Sequence, residues 1–149
     1  MGHLGFTGTS STVTVLAKHA LKNVLQNMHN AGYLRMHNGD CIQADAIAAR
    51  LWQEMGGKVV LHPPEDPKKR AFIEADYYFD PRPYLERNKD IVNLSRTLIA
   101  VSHGMTEDAR SGTWATIRYA KKMCRPCQII LPNGEIQFWK PPAVDDSLG

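Results

Sequence analysis

The sequence predicts an α/β three-layer sandwich: a mainly parallel sheet of about five strands, covered by helices on both faces, with a C-terminal hairpin. Three observations carry this. Short apolar runs alternate with stretches whose apolar residues recur at helical spacing. Turns of small and polar residues follow several of the strands. Near the end, Asn133-Gly134 joins two strand-like runs, a strong hairpin signal. Strand–helix alternation argues for parallel strands joined by right-handed crossovers. The chain has 149 residues, of which 43% are hydrophobic, enough for one well-built core. A single domain over residues 1–140 is expected, with a flexible tail over 141–149.

Residues 4–7 read as the first strand. Gly8-Thr9-Ser10-Ser11 follows and offers hydroxyls to cap a helix. In that helix Val13, Leu16, Ala17, Ala20, Leu21, Val24, Leu25 and Met28 make one apolar face, and Asn30-Ala31-Gly32 ends it. Residues 33–37 form a second strand and Asn38-Gly39-Asp40 a turn. The Ala-rich stretch 41–55 is a second helix, stopped by Gly56-Gly57. Trp52 and Met55 suit either the core or the interface of a homodimer. The third strand covers 58–62. Pro63-Pro64 and the charged residues up to Arg70 make a loop, because proline is excluded from helix and sheet interiors. Residues 71–83 read as a short helix and then loop. Pro83 opens a helix over 84–95. A fourth strand covers 97–101, a polar loop 103–110, and a helix runs from Ser111-Gly112-Thr113 to about Met123. The fifth strand covers 127–131, and residues 136–139 return antiparallel to it.

The formal charge is +3, from 18 Lys and Arg against 15 Asp and Glu, too small by itself to predict nucleic-acid binding. No apolar run approaches the ~20 residues of a membrane span. The start lacks the basic and then apolar pattern of a secretory signal. Three cysteines, an odd number, fit a reducing compartment, so a cytoplasmic location is expected. Cys124-Arg125-Pro126-Cys127 spells a CxxC, but it follows a helix instead of opening one, which is the wrong end for acidifying a thiol. No second ligand pair is spaced for zinc. The motif reads as two small apolar residues at a helix-to-strand corner, and neither a metal nor a resident cofactor is expected.

In a doubly wound sheet, ligands bind at the carboxyl ends of the strands, where the strand order reverses. Five segments fall there. Gly8, Thr9 and Ser10 combine a flexible backbone with hydroxyls suited to phosphate. His37-Asn38-Gly39-Asp40, with Ala44-Asp45, brings a histidine and two acids together; Asp40 and Asp45 are the candidates for acid–base chemistry. His62, before Pro63-Pro64, is placed to contact a base or sugar. Arg87 and Asn88 supply a planar fork for phosphate and a hydrogen-bonding amide. Arg110-Ser111-Gly112-Thr113-Trp114-Ala115-Thr116 joins an arginine, hydroxyls and the free amides of a helix start, which makes an anion cradle. Trp114 reads as core. Gly8, Thr9, Gly39, Ser111, Gly112 and Thr113 are expected to line one pocket.

The ordered set Gly39-Asp40…Ala44-Asp45, Tyr84-Leu85-Glu86-Arg87-Asn88, Leu98-Ile99-Ala100-Val101, Ser111-Gly112-Thr113…Ala115-Thr116 and Ile130-Leu131-Pro132-Asn133-Gly134 resembles the Rossmann-like core of the DNA-processing protein A (Smf) family. That family belongs with the lonely-guy phosphoribohydrolases in the SLOG superfamily. The resemblance covers about residues 5–134. It implies a Rossmann-like sandwich and a ligand drawn from nucleotides, nucleotide-derived molecules or single-stranded nucleic acid. It also marks a departure. The lonely-guy signature Gly-Gly-x-Gly-Thr-x-x-Glu carries a catalytic Glu, and aligning Gly112-Thr113 with its Gly-Thr puts Thr116 at that position.

Three functions remain in view. The first is a module that senses or sequesters a nucleotide or nucleotide-derived signal without turnover. The second is a hydrolase of an N-glycosidic bond in a nucleoside phosphate, which needs Asp40 or Asp45 to activate water. The third is single-stranded DNA binding through Lys68, Lys69, Arg70, Arg87 and Arg110.

Overall fold

A computed structural model describes residues 2–143, so residues 144–149 of the expected tail lie outside the described residues. Its seven strands are β1 (Leu4–Gly8), β2 (Arg35–Asn38), β3 (Lys58–Leu61), β4 (Tyr77–Tyr78), β5 (Thr97–Val101), β6 (Cys127–Ile130) and β7 (Ile136–Trp139). They form one sheet in the order β4-β3-β2-β1-β5-β6-β7. Every pairing is parallel except β6 with β7, the C-terminal hairpin. The order reverses at β1, which pairs with β2 on one side and β5 on the other. The crevice beside β1 is therefore the switch point of a doubly wound sheet.

Four helices cover it: α1 (Val15–Asn30), α2 (Ala44–Glu54), α3 (Tyr84–Asn93) and α4 (Gly112–Lys122). Side chains alternate between the faces of a strand, and two cores follow from that alternation. Leu4 and Phe6 of β1, Met36 of β2 and Val59 and Leu61 of β3 face α1 and α2. Leu98 and Ala100 of β5 and Ile129 of β6 face α4, with Val92 of α3 in the same cluster. In α1 the buried residues Ala17, Leu21, Val24 and Leu25 recur at helical spacing, which is the stripe read from the sequence.

The differences from the sequence reading are local. Beyond the five strands and the return strand read from the sequence, the sheet has one more, β4, a two-residue edge strand in a stretch without periodicity. No α-helix forms in residues 71–83; the only helical turn nearby is a short 3-10 turn at Pro67–Lys69. α1 starts two residues after Val13, and its cap is Thr14, whose hydroxyl oxygen accepts from the Ala17 amide. Ser10 and Ser11 therefore cap nothing and remain in the loop. α2 starts at Ala44, not 41, because Asp40 and Gln43 hold left-handed backbone (φ 63° and 70°) that a helix does not admit. Trp52 belongs to the core: it is fully buried and its indole N–H donates to the carbonyls of Leu34 and Lys58. Cys127 is buried in β6, and burial pushes its thiol up to about 11, whereas Cys124 is exposed; both are free. Among the described residues, no helix is long and apolar enough to cross a membrane.

Candidate functional site

The loops after β1, β2, β3, β4 and β5 all leave the carboxyl edge of the sheet and surround a cleft of about 650 Å³. Gly8, Thr9 and Ser10 of the first loop line it, as do Ser111, Gly112 and Thr113 at the start of α4. The loop after β3 supplies Lys68, Lys69 and Glu65, and α3 begins in the wall with Tyr84. Cys41 and His103 complete much of the rest.

The first loop is held from both sides. The Thr9 amide donates to the Val101 carbonyl of β5, and the Ala44 amide of α2 donates to the Thr9 carbonyl. Thr9 Oγ1 accepts from the Ser11 amide at 3.0 Å, so this hydroxyl shapes the turn. Gly8 is glycine because a Cβ there would overlap Ala44; the close approach it permits is to α2. At α4 the Ser111 hydroxyl accepts from the Trp114 amide at 3.2 Å. The amides of Gly112 and Thr113, the first two of the helix, have no acceptor within it. They sit in the cleft wall at the positive end of the helix dipole.

Beneath the cleft lies a second tier of polar residues that do not line it. Asp40 is fully buried. Its carboxylate accepts from Arg70 Nε at 2.6 Å and from the Ile73 amide at 2.8 Å, and its carbonyl accepts from the Ala71 amide. It therefore clamps residues 70–73 against the loop after β2. Asp45 is buried too; Oδ2 accepts from the Cys41 amide at 3.0 Å and Oδ1 has no partner. Burial pushes its carboxyl up to about 7, with the Arg87 charge pulling the other way. Arg87 is only 2% exposed. Its Nη1 donates to the carbonyls of Gly39 and His62, its Nη2 lies 3.9 Å from Cys41 Sγ, and its Nε has no partner. Gly39 belongs to this tier: a Cβ on it would sit 2.6 Å from Arg87 Nη1.

His62 is buried in a row of imidazoles. His3 Nδ1 meets His37 Nε2 at 2.7 Å, His37 Nδ1 meets His62 Nε2 at 2.7 Å, and Phe79 stacks on His62. Burial, reinforced by the neighbouring charged forms, lowers His37 to about 3; burial lowers His62 to about 4. Asn88 is buried beneath the wall. Thr116 is buried, and its hydroxyl donates to the Gly112 carbonyl at 2.9 Å. Trp114 is core, with its indole N–H on Ser102 Oγ. Arg110 is exposed outside the cleft lining, and its amide donates to Asp108.

Of the segments singled out in the sequence, the cleft wall thus brings together the first and the last. Gly39, Asp40, Asp45, His62, Arg87, Asn88 and Thr116 support it from beneath or behind. Sequence reasoning missed Tyr84, Cys41, Glu65 and His103 as lining residues. Pro83 marked the start of α3, but the edge strand β4, which brings that start to the same edge, has no periodic signal.

These features define a class: a Rossmann-like α/β protein with its principal cleft at the switch point of the sheet. No family model matches the chain, and no curated protein matches it significantly by sequence. Solved structures share the fold. The molybdenum cofactor binding protein of the phototrophic bacterium Rippkaea orientalis superposes with a TM-score of 0.68 at 17% identity, covering 86% of this chain and 75% of that one. DNA processing protein A from Streptococcus pneumoniae gives 0.66 at 19% identity, over 99% of this chain and 53% of its own. The same protein from Helicobacter pylori, described for its single-stranded DNA binding mode, gives 0.61 at 18% identity, over 86% and 64%. The chain thus spans about half to two thirds of the length of these DNA processing proteins. The resemblance read from the sequence is present as a shared fold: this chain has the Rossmann-like sandwich found in DNA processing protein A.

Proposed function

We propose that the protein binds a phosphorylated small molecule, a nucleotide or a nucleotide-derived signal, in the switch-point cleft, and holds it without turning it over. The observation that carries this reading is the convergence of the open α4 amides, the Ser111–Thr113 turn and Lys68 and Lys69 on one cleft of a size for such a ligand. Similarity in fold to a molybdenum cofactor binding protein supports a small-molecule ligand. Binding without hydrolysis is supported by the state of the groups singled out as catalytic candidates; of the cleft's own carboxylates, Glu65 and Asp66, the second caps the turn at Lys68. Asp40 is committed to Arg70 and Ile73, Asp45 lies beneath the wall, and Thr116 is turned to a helix carbonyl.

Single-stranded DNA is the second reading, favoured by the two DNA processing proteins with this fold. Against it, Arg110 stands outside the cleft and Arg70 is held by Asp40. Mass spectrometry of small molecules released on denaturing the purified protein tests the proposal. An intact phosphorylated compound released in stoichiometric amount supports it. Free base accumulating from an added nucleoside phosphate would transfer the site to a hydrolase. A protein that releases nothing, yet retards a labelled oligonucleotide, would support DNA binding instead.

A further inference from the structure

The buried Arg87 carries a full charge with no carboxylate at ion-pair distance among the described residues. Asp45 is close enough for the two charges to act on each other, and burial favours the neutral form of that acid. A guanidinium buried without a paired anion is costly, and the unpartnered Nε adds to the cost. What covers Arg87 is the ring of Tyr84, one helical turn earlier, with the guanidinium carbon 4.9 Å from the ring centroid. Tyr84 lines the cleft and Arg87 does not.

The same ring reaches the start of α4. A Cβ built on Gly112 would overlap the Tyr84 hydroxyl, so the phenol oxygen lies directly on the first residue of that helix. The Asn88 side chain, one turn further along α3, acts on this hydroxyl. Three groups suited to an anion, the start of α4, Arg87 and Asn88, therefore meet around one neutral phenol. Tyr84 is 46% exposed, which leaves it room to turn outward. A phosphate or carboxylate makes stronger, charge-assisted bonds with these donors than a phenol does.

We propose that Tyr84 is a displaceable gate on the anion-binding end of the cleft: the ligand's anionic group takes the place of the phenol at Gly112, and the departing ring opens Asn88 and Arg87 to that group. The inference rests on the anion-binding reading of the cleft and adds to it which residue controls entry and which charge waits behind it. The gate discriminates against neutral ligands, which gain too little from the exposed donors to offset loss of the ring's contacts with Arg87 and Asn88.

The test is calorimetric titration of inorganic phosphate and adenosine 5′-monophosphate into the parent protein, Tyr84→Ala and Tyr84→Phe. Reaction of Arg87 with phenylglyoxal, mapped by peptide mass, is the second readout. Removing the ring is expected to tighten phosphate binding by about tenfold, the scale of one charge-assisted bond gained without displacing a competitor. Arg87 is then modified faster in Tyr84→Ala, and phosphate protects it. Tyr84→Phe, which loses the hydroxyl but keeps the ring over Arg87, falls between the two. If the parent binds and Tyr84→Ala binds equally well or more weakly, the gate is wrong and the cleft reading stands. If neither protein binds either anion, both fall.

Discussion

Asp40 and Asp45, five positions apart, are set to different tasks by their partners. Asp40 joins two loops through Arg70 and the Ile73 amide while its own backbone is left-handed. Asp40→Ala leaves Arg70 and that amide without their acceptor, and it should lower stability by about 2–4 kcal/mol in denaturant unfolding. A loss below the ~0.5 kcal/mol typical of surface substitutions would show that the clamp is not structural. Asp45 gives a pH signature. Its carboxyl is raised from 3.8 to about 7 in the fold, so the folded state holds a proton that the unfolded chain has released. Stability contributed by this group is present below pH 3.8 and declines as pH rises towards 7. Asp45→Asn should therefore match the parent below pH 3.8, exceed it increasingly as pH rises towards 7, and keep a constant advantage above that. Equal unfolding midpoints across the whole range would refute the shift. Neither role was legible in the sequence, where both acids read equally well as catalytic candidates. The choice between them is made by residues 30 or more positions away, Arg70, Ile73 and Arg87, and no local pattern reports such pairings.

At the scale of elements, the strands and helices that bury a stripe or a run of apolar side chains were legible, because burial repeats at the period of the element. α1, β5 and the β6–β7 hairpin fall within a few residues of their expected bounds. β4 was not legible, since two exposed tyrosines on a sheet edge have no period to read. The loop-bound part of the site suffered the same way: the Ser111 cap was readable as a helix start, whereas Tyr84 reaches the cleft through β4. Ser111→Ala should cost the helix about 1 kcal/mol through loss of its cap, read as a lower unfolding midpoint with the fold unchanged. The histidine row ties the strands together in a way that responds to acid. His37 and His62 are lowered from 6.5 to about 3 and 4, so the unfolded chain takes up protons before the fold does. The stability they contribute is present above pH 6.5 and is lost as pH falls towards these values. Acid unfolding should begin below pH 6.5, and His37→Gln should flatten the slope; an unchanged slope would contradict the row's part in it.

For the whole molecule, the doubly wound order puts β1 between β2 and β5, and this topology makes one cleft from loops distant in sequence. The fold is shared with proteins that differ in ligand, so the cleft's own groups must carry the functional argument. Its anion-facing end is the start of α4, and Gly112 is the residue where a side chain would intrude most directly. Gly112→Glu fills that space and brings a negative charge to the place proposed for phosphate. A carboxylate in the first turn of a helix is favourable to the helix itself, and the half-exposed Tyr84 has room to yield, so the fold should persist. The most direct measurement is calorimetric titration of adenosine 5′-monophosphate, inorganic phosphate and adenosine into the parent and Gly112→Glu proteins, with unfolding midpoints recorded alongside. The account predicts that the two phosphate-bearing probes bind the parent better than adenosine does, and that Gly112→Glu remains folded but loses both. A folded Gly112→Glu protein that binds the phosphates as tightly as the parent would contradict it.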